Sequence, residues 1–528
     1  MTEPTLYEWF AASVARYPDA PALEIQELNL TYRDLDAVVE RLAGRIVAAH
    51  GRVPERVGLL VSRSLVAYAG YLAVLRLGAA VVPLNPIFPP SRNLAISAAA
   101  ALDAVLVDDA GAAQLPGLGP DLGTTVADLP DRQWRSVVTG PVPADLPVYD
   151  GRVDDVAYIL FTSGSTGRPK GVPIQHANVS PYLEFNIAKY GIGPGCRLSQ
   201  TFDLTFDPSV FDLFVAWGSG ATLVVPQKNE VLTPVQYVNS RRITHWFSVP
   251  SIVSFARRLR ALQPGCMPTL QLSLFAGEQL TIEQADAWRR AAPGCVIENI
   301  YGPTELTVTC TGYRLPPDRG EWPVTSNQTV PIGTVYPHLE YVILDENGRP
   351  ADEGELCVRG AQRFPGYLDP ASNASRFTAF DGTVATVYDG TGPLTAEHWY
   401  RTGDRVRRDR AELVHLGRLD HQLKIRGYRV ELGEIEAVLR GHTRIREAVV
   451  LASTSPDGEV DLVAVYTGEQ IPEDELVAVV RGRLPVYMLP RRYEHIAEMP
   501  LNDNGKTDRN RIAAGLDLVG ARTGGRVK

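Results

Sequence analysis

Ten residues of the chain have the composition of a loop that binds polyphosphate. Residues 162–171 read TSGSTGRPKG and hold three glycines, four hydroxyl side chains and two cations. Small residues let backbone N–H groups approach phosphate oxygens, hydroxyls donate further hydrogen bonds, and a cation offsets the negative charge. The G-x-x-x-x-G-K-[ST] spacing of a Walker A loop is absent. The alternative is a flexible Ser/Gly linker, although linkers do not usually follow a buried strand and carry Pro-Lys-Gly.

The elements that would position this loop alternate between strand and helix. Residues 157–161, AYILF, predict a buried strand that leads directly into the loop. Upstream, residues 33–49 and 65–77 have helical spacing of apolar residues, and residues 57–61 and 80–84 are short apolar strands. Such alternation predicts an α/β fold in which parallel-rich sheets are covered by helices.

The pattern of residue types changes near Gly417, where a polar, turn-like stretch begins. The tail beyond it alternates strand patterns with helix patterns over short distances. A chain of 528 residues is too long for one ordinary core. We therefore predict a large N-terminal core over residues 1–419 and a small, mobile α+β domain over residues 420–528, joined at Asp420.

Charge and composition exclude several classes of protein. The formal net charge is -9 and no long Lys/Arg run occurs, which argues against nucleic acid as a partner. The most apolar stretch, residues 66–84, carries Arg76 and Gly78 and predicts a buried helix and strand, with no membrane span. None of the cysteines forms a C-x-x-C pair, so a cytoplasmic location fits best. The five are Cys196, Cys266, Cys295, Cys310 and Cys357.

The loop resembles the signature of the adenylate-forming superfamily, which includes acyl-CoA ligases, firefly-type luciferases and the adenylation domains of nonribosomal peptide synthetases. Six further segments are similar to the family's motifs, in order and at family spacing. They are LTY at 30–32, RLGA at 76–79, NIYGPTE at 299–305, YRTGD at 400–404, GRLDHQLKIRGYRVE at 417–431 and NGK at 504–506. The resemblance covers almost the whole chain.

The resemblance implies attack of a carboxylate on the α-phosphorus of ATP with release of pyrophosphate, a reaction that depends on positioning and charge neutralisation. Glu305 would hold Mg²⁺, since a hard cation prefers carboxylate oxygen, Tyr301 would stack on adenine, and Asp404 would accept the ribose hydroxyls. Each has a structural alternative: a surface acid, a core tyrosine and a turn-forming aspartate, respectively. The full set implied for ATP is Thr162, Ser163, Gly164, Ser165, Thr166, Gly167, Lys170, Gly277, Glu278, Asn299, Tyr301, Gly302, Thr304, Asp404 and Arg418.

The resemblance also assigns roles to the small domain. Lys506 would be the catalytic lysine, which enters the active site and bridges the substrate carboxylate and the α-phosphate, assisted by Lys170 and Thr166. Taken alone, a lysine in an Asn-Gly-Lys turn would be an exposed surface charge. Asp420 would be the hinge about which the small domain rotates after adenylation. Lys424, Arg426 and Gly427 would then serve thioester formation.

Residues 206–209, FDPS, look like the F-D-x-S motif of amino-acid adenylation domains. There the aspartate, here Asp207, binds the substrate's α-amino group, because a buried ammonium needs a paired carboxylate. The structural alternative is a helix N-cap and N1 pair formed by Asp207 and Pro208. Pro208 also departs from the small or aliphatic residue expected there, and a shifted amino-group site would suit a β-amino acid.

Alignment by these motifs predicts the lining of an amino-acid pocket. No charge remains among its residues after Asp207 and Lys506, so the substrate side chain is expected to be apolar. The set resembles that of stand-alone prolyl-AMP ligases and also pockets for isoleucine and valine, and proline is the first choice. The residues are Asp207, Pro208, Phe211, Phe247, Leu274, Ala276, Ile300, Val308, Thr309 and Lys506.

The expected acceptor is the phosphopantetheine thiol of a separate carrier protein, with coenzyme A as the alternative thiol. Few residues follow Lys506 and none forms a carrier-type serine motif, so the sequence predicts a free-standing ligase. Two other functions stay open. An acyl- or aryl-CoA ligase is disfavoured by Asp207, and a non-catalytic nucleotide-binding homologue is disfavoured by Lys506, Glu305 and Asp404.

Overall fold

The computed structural model of the protein describes residues 3–122, 125–128, 138–141, 145–163, 169–227, 230–420, 422–425, 427–454, 460–500 and 507–516. Several predicted site residues lie outside the described residues. They are Gly164, Ser165, Thr166 and Gly167 of the phosphate loop, Arg426, and Lys506.

Fourteen α-helices are described, and their ends follow local sequence signals. In α2, Thr31 and Asp34 form a capping box and Gly51 ends the helix in the left-handed conformation. The helices are α1 Leu6–Arg16, α2 Tyr32–His50, α3 Leu65–Arg76, α4 Pro90–Ala100, α5 Asp109–Ala112, α6 Leu115–Leu118, α7 His176–Tyr190, α8 Pro208–Ser219, α9 Pro234–Ser240, α10 Ser251–Arg258, α11 Ile282–Ala291, α12 Leu432–Arg440, α13 Glu473–Arg481 and α14 Arg509–Gly515.

The described residues form 26 β-strands. The first fifteen are β1 Pro21–Ile25, β2 Leu28–Thr31, β3 Arg56–Leu60, β4 Ala80–Leu84, β5 Ala104–Val107, β6 Thr125–Asp128, β7 Val156–Thr162, β8 Lys170–Gln175, β9 Arg197–Ser199, β10 Thr222–Val225, β11 His245–Ser248, β12 Leu272–Phe275, β13 Val296–Tyr301, β14 Thr311–Arg314 and β15 Thr334–Val335. The remaining ones are β16 Leu339–Leu344, β17 Glu353–Gly360, β18 Phe377–Phe380, β19 Ala385–Val387, β20 Trp399–Asp409, β21 Glu412–Arg418, β22 Gln422–Ile425, β23 Tyr428–Glu431, β24 Ile445–Thr454, β25 Val460–Gly468 and β26 Arg492–His495.

Two large, mostly parallel sheets carry the N-terminal part. One has nine strands in the order β15-β14-β13-β12-β11-β9-β10-β1-β2, and the other has six in the order β6-β5-β3-β4-β7-β8. A third sheet, β16-β17-β20-β18-β19 with β21 on β20, is antiparallel. The C-terminal part holds the β22–β23 hairpin and the three-stranded sheet β24-β25-β26. The predicted fold class, parallel-rich sheets covered by helices plus a smaller α+β part, is confirmed.

The buried core follows the same division. The largest cluster joins α2, α3, α7 and α8 to both parallel-rich sheets. A separate cluster from Ile425 to Met488 lies in the C-terminal part, between α12, α13 and the three-stranded sheet. Among the described residues, no helix combines the length and the apolar character that crossing a bilayer requires.

The predicted helix at 33–49 corresponds to α2, and the predicted strand at 157–161 corresponds to β7.

The structure does not support the helix N-cap interpretation of Asp207. Asp207 does precede α8 and Pro208 is its first residue, but the Asp207 side chain makes no capping hydrogen bond, and its backbone is already helical. The carboxylate is therefore not used by the helix that follows it.

Candidate active site

The ends of the predicted phosphate loop are fixed by strand pairing. Thr162 at the end of β7 is the cross-strand partner of Lys170 at the start of β8, so the loop closes an antiparallel hairpin. The ammonium of Lys170 lies 5.7 Å from the centre of the Tyr367 ring. Burial lowers the pKa of Lys170, as do the guanidinium groups of Arg376 and Arg429. The charge of Lys170 is thus held next to cations and would be stabilised by a polyanion.

A cavity of about 1470 Å³ lies beside the carboxyl ends of β12 and β13. Ligands of α/β proteins commonly bind at this edge of a sheet. Its lining brings together six of the residues predicted to bind ATP, and it also includes Ile300, Asp420 and Lys424. The six are Gly277, Glu278, Asn299, Tyr301, Asp404 and Arg418.

Asp404 lies at the centre of a hydrogen-bond network on the cavity wall. Its carboxylate accepts from the Tyr301 hydroxyl at 2.6 Å and contacts the His415 imidazole at 2.9 Å and the Arg418 guanidinium at 3.2 Å. Burial acts to raise the pKa of Asp404, but Arg418 and His415 hold it far below its usual range. Asp404 is therefore an anion. In the predicted contact, the ribose hydroxyls would bind a carboxylate that already has three partners in the protein.

The other predicted nucleotide residues have structural partners as well. The Asn299 amide donates to the carbonyls of Val330 and Pro331, at 3.1 and 2.9 Å. Gly302 lies so close to the backbone of Thr309 that a Cβ there would be 2.5 Å from the Thr309 Cα. These contacts give both residues a role in holding the site's backbone.

Glu305 is fully buried and forms an ion pair with Arg429. The Tyr367 hydroxyl donates to the same carboxylate at 2.7 Å. Burial acts to raise the pKa of Glu305, but Arg429 and Tyr367 hold it below its usual value. A carboxylate is the donor type that Mg²⁺ prefers. In this arrangement, however, both oxygens are taken by Arg429, so the residues as placed do not fit a bound ion.

The β22–β23 hairpin, which carries Arg429, packs into the predicted ATP site. The Ser163 hydroxyl donates to the Arg429 carbonyl at 2.7 Å, and the Gly427 amide donates to the Glu278 carboxylate at 3.0 Å. The Lys424 ammonium lies 5.8 Å from the centre of the Tyr301 ring. Residues predicted for thioester formation therefore contact residues predicted for ATP binding.

Asp207 has an unsatisfied oxygen in the protein interior. Its Oδ2 atom is buried and has no hydrogen-bond partner among the described residues. Burial raises the pKa of Asp207 to about 7, although the Thr304 hydroxyl and the Lys424 ammonium act in the opposite direction. A buried carboxylate in this state would be stabilised by an incoming cation.

The residues predicted to line the amino-acid pocket are buried together. Phe211 of α8 and Phe247 of β11 meet edge to face, with ring centres 5.3 Å apart. Phe247 and Leu274 are partners in the parallel sheet, and Ile300 continues the same surface on β13. The buried set comprises Pro208, Phe211, Phe247, Leu274, Ala276, Ile300, Val308 and Thr309.

A strained turn carries Val308 and Thr309, two residues of this predicted set. Thr307 and Val308 both have positive φ, 56° and 69°, which is rare for β-branched residues. The Gln362 amide donates to the carbonyls of Leu306, Thr307 and Thr309, at 2.9, 3.2 and 2.8 Å. Gln362 is fully buried and holds the turn in its strained conformation.

Motif matching missed several residues of this site. Gln362, Tyr367 and His415 lie outside every matched motif, and Arg429 lies within one without an assigned role. Their partners are distant in sequence: Gln362 is 53 residues from Thr309, and Arg429 is 124 residues from Glu305. No local pattern signals such contacts.

Fold and site together define an adenylate-forming enzyme. Residues 10–368 match the AMP-binding enzyme family, and residues 434–506 match the C-terminal domain of AMP-binding enzymes. The chain therefore belongs to the AMP-binding enzymes, an adenylate-forming class of ATP-dependent ligases.

Curated relatives and solved structures are similar to the chain over nearly its whole length. Tyrocidine synthase 3 of Brevibacillus parabrevis is 31% identical over 96% of this chain, which spans only 8% of that synthase. The Vibrio cholerae adenylation domain AlmE, solved with glycyl-adenosine-5'-phosphate, is 28% identical with a TM-score of 0.81 over 97% of both chains. An artificially fused adenylation–PCP di-domain of Klebsiella oxytoca, NpsA-ThdA, is 25% identical with a TM-score of 0.78 over 94% of both.

Proposed function

We propose that the protein joins an amino acid to AMP. A carboxylate oxygen of the amino acid attacks the α-phosphorus of ATP, the bond to the β-phosphate oxygen breaks, and pyrophosphate leaves. The observation that carries this proposal is the buried Asp207 carboxylate, whose Oδ2 has no partner among the described residues. An α-ammonium group would supply the missing donor and the missing charge.

The same observation argues against a fatty or aryl acid. Such a substrate has no cation to offer, so binding would leave the buried Oδ2 atom of Asp207 without a hydrogen-bond partner. Leaving a charged group unsatisfied in the interior costs roughly 2 kcal/mol or more. Two of the relatives, tyrocidine synthase 3 and the glycyl-adenylate complex of AlmE, support the same choice.

The substrate we propose is a small apolar amino acid, with proline first, isoleucine and valine next, and a β-amino acid as a further candidate. Support comes from the uncharged residues next to Asp207 in the predicted set and from Phe211 and Phe247, whose rings meet edge to face. Apolar pockets discriminate by only about 1–3 kcal/mol per methylene, so close homologues are expected to compete.

We assign the steps of the reaction to the two parts of the chain. Residues 1–419 would bind ATP and the amino acid, with Thr162, Ser163, Thr166 and Lys170 at the phosphates. Residues 420–528 would rotate about Asp420 and bring Lys506 to the reacting carboxylate. Glu305 would hold Mg²⁺ only when Arg429 has withdrawn from it.

The product is proposed to pass to the phosphopantetheine thiol of a carrier protein supplied as a separate chain. The fused adenylation–PCP structure of NpsA-ThdA supports a carrier as the partner. The thiol sulfur would attack the acyl carbon of the adenylate, and AMP would leave. Loading of a separately purified holo-carrier, with coenzyme A as the competing acceptor, tests this step by intact-protein mass spectrometry.

Amino-acid-dependent exchange of labelled pyrophosphate into ATP tests the adenylation step. The assay should cover the proteinogenic amino acids, several β-amino acids and a panel of fatty and aryl acids. We expect exchange with small apolar amino acids. Exchange with fatty or aryl acids alone would show an acyl- or aryl-CoA ligase, and exchange with none would favour a nucleotide-binding homologue.

Replacement of the predicted catalytic lysine gives a second test. Lys506→Ala should lower the exchange rate by about 10²–10³-fold, the usual effect of removing one group that stabilises charge in a transition state. ATP binding, measured by calorimetry, should change little. Full exchange in this variant would overturn the proposed role of Lys506.

A further inference from the structure

A carboxylate lies in the same row of side chains as two residues of the predicted amino-acid pocket. In the register of the nine-stranded sheet, Phe247 pairs with Leu274, and Leu274 pairs with Glu298. Paired residues of a sheet point to the same face, and so do residues two apart on one strand. Glu298 therefore shares a face with Phe247, Leu274 and, two residues further along β13, Ile300.

Glu298 is almost completely buried, with 1% of its surface exposed, and its charge is balanced by two cations. Lys189 of α7 forms an ion pair with Oε1, and the Tyr190 hydroxyl donates to the same oxygen at 3.2 Å. Arg314 of β14 approaches Oε2 at 3.3 Å. Buried carboxylates need such partners, so Glu298 is held in one place.

One of these partners touches a predicted pocket residue directly, and another reaches one through Tyr336. The ring of Tyr190 meets the ring of Phe211 edge to face at 6.3 Å. The Lys189 ammonium also lies 5.3 Å from the centre of the Tyr336 ring, and the Tyr336 hydroxyl bonds to the Thr309 hydroxyl at 2.9 Å. The ion pair and the pocket therefore share one contact network.

The position of Gly312 shows how close Glu298 comes to the pocket wall. Gly312 is the cross-strand partner of Ile300. A Cβ on Gly312 would be 2.7 Å from Glu298 Oε1 and 3.3 Å from Ile300 Cγ2. The Glu298 carboxylate thus fills the space next to Ile300, at the level of Leu274.

From this geometry we propose that Glu298 determines substrate specificity by closing the far end of the amino-acid pocket. Held by Lys189, Tyr190 and Arg314, its carboxylate limits the length of the substrate side chain and repels an anionic one. This inference rests on the proposed amino-acid adenylation. It narrows the substrate class to short, uncharged side chains, and it places a charge at a pocket that motif matching describes as uncharged.

The test is a series of pyrophosphate-exchange measurements with linear amino acids of increasing length, from alanine through norvaline to norleucine, together with glutamate. In the parent enzyme, kcat/KM should fall along the series and glutamate should be inactive. In Glu298→Ala, the ratio of kcat/KM for norleucine to kcat/KM for alanine should rise by about tenfold or more. An apolar pocket distinguishes two substrates that differ by one methylene by about that factor. Glu298→Ala should also gain exchange with glutamate, whose carboxylate would replace the missing one next to Lys189.

Two further variants separate length from charge. Glu298→Gln keeps the side-chain volume, so the length profile should stay as in the parent while glutamate exchange appears. Glu298→Ala combined with Lys189→Met should lose the glutamate exchange gained by the single variant. A purely structural role for Glu298 would lower all rates together and leave these ratios unchanged.

A matched control exists elsewhere in the fold. Glu40 of α2 likewise pairs with an arginine, Arg76, and accepts from a tyrosine hydroxyl, that of Tyr7. Glu40→Ala should lower stability without changing any substrate ratio.

If Glu298→Ala does not fold, Gly312→Ala takes its place as the test variant. Its Cβ would lie 2.7 Å from Glu298 Oε1 and would displace the carboxylate, so the ratio of kcat/KM for norleucine to that for alanine should change.

The outcomes separate this inference from the proposed function. If the parent shows no exchange with any amino acid, the proposed function fails. If the parent exchanges but Glu298→Ala has an unchanged norleucine ratio and no glutamate exchange, the inference about Glu298 is overturned. The same holds if Gly312→Ala leaves the length profile unchanged while Glu298→Gln leaves glutamate rejection unchanged.

Discussion

The Arg429 guanidinium donates to both oxygens of the Glu305 carboxylate, at 2.9 and 3.0 Å. Glu305 is the residue expected to hold Mg²⁺, and Arg429 belongs to the β22–β23 hairpin. A cation of the protein therefore occupies the position where the metal is expected. If Glu305 holds Mg²⁺ as proposed, the hairpin and the metal would compete for one buried carboxylate.

This competition predicts that Arg429→Ala strengthens the binding of ATP in the presence of Mg²⁺. Removing one partner of a buried ion pair costs roughly 3–5 kcal/mol, so the docked state of the hairpin would be strongly disfavoured. An apparent affinity rises as the competent state becomes more populated, and calorimetry should report a lower Kd for ATP with Mg²⁺. Arg444→Ala, which removes a partly exposed pair with Glu475, is the control. An unchanged or weaker affinity in Arg429→Ala would contradict the prediction.

Docking of the hairpin also depends on a glycine. Gly427 has a φ of +83°, and a Cβ there would be 2.6 Å from Val249 Cγ1. Gly427→Ala should therefore hinder docking and slow transfer to the carrier thiol, while amino-acid-dependent exchange is retained. Gly265→Ala introduces a side chain at a similar φ of +70° but in open space, and it should leave both steps intact. Equal loss of exchange and transfer in Gly427→Ala would show a general defect.

The Asp207 carboxyl predicts a pH dependence for amino-acid binding. Its pKa is raised by burial to about 7, so below that pH it becomes protonated and loses its attraction for an ammonium. The kcat/KM for the amino acid should fall as the pH drops below about 7, with kcat for saturating substrate less affected. Asp207→Asn should lower kcat/KM by about 30-fold or more and abolish this pH dependence.

Asp212 lies on α8, the helix that begins directly after Asp207, and provides the control for this prediction. It is also buried, and burial raises the pKa of its carboxyl well above the usual value. Asp212 does not belong to the predicted amino-acid pocket, so Asp212→Asn should preserve the pH profile. If Asp212→Asn loses the pH profile, the titrating group is Asp212 and not Asp207.

Gln362 is predicted to stabilise the turn that presents Val308 and Thr309. Gln362→Ala would leave three buried carbonyls without their donor, which should lower the free energy of unfolding by roughly 2–3 kcal/mol. Urea denaturation measures this loss, and exchange kinetics should show a raised KM for the amino acid. Gln263, an exposed residue that donates to the Arg260 carbonyl, supplies the control variant. If Gln362→Ala is less stable but its KM for the amino acid is unchanged, the turn is not part of the pocket.

Local sequence was sufficient for the class of fold and for the enzyme family. The segment at 157–161 has the pattern of a buried strand, and the loop after it has the composition that polyphosphate requires, because both properties depend on neighbouring residues. The Pro/Gly-rich composition of residues 114–123 and 381–393 predicts surface loops, but the structure has a short helix at 115–118 and a strand, β19, at 385–387, which pairs with β18.

Only the tertiary structure decided which charges meet. By sequence, Asp207 could be a helix cap or a substrate ligand, and the missing capping bond and the unsatisfied Oδ2 argue against the helix cap. The pairing of Arg429 with Glu305 and the position of Glu298 in the row of Phe247 and Leu274 follow from strand register and from packing between the two parts of the chain. Register and long-range packing depend on the whole fold, so no local motif records them.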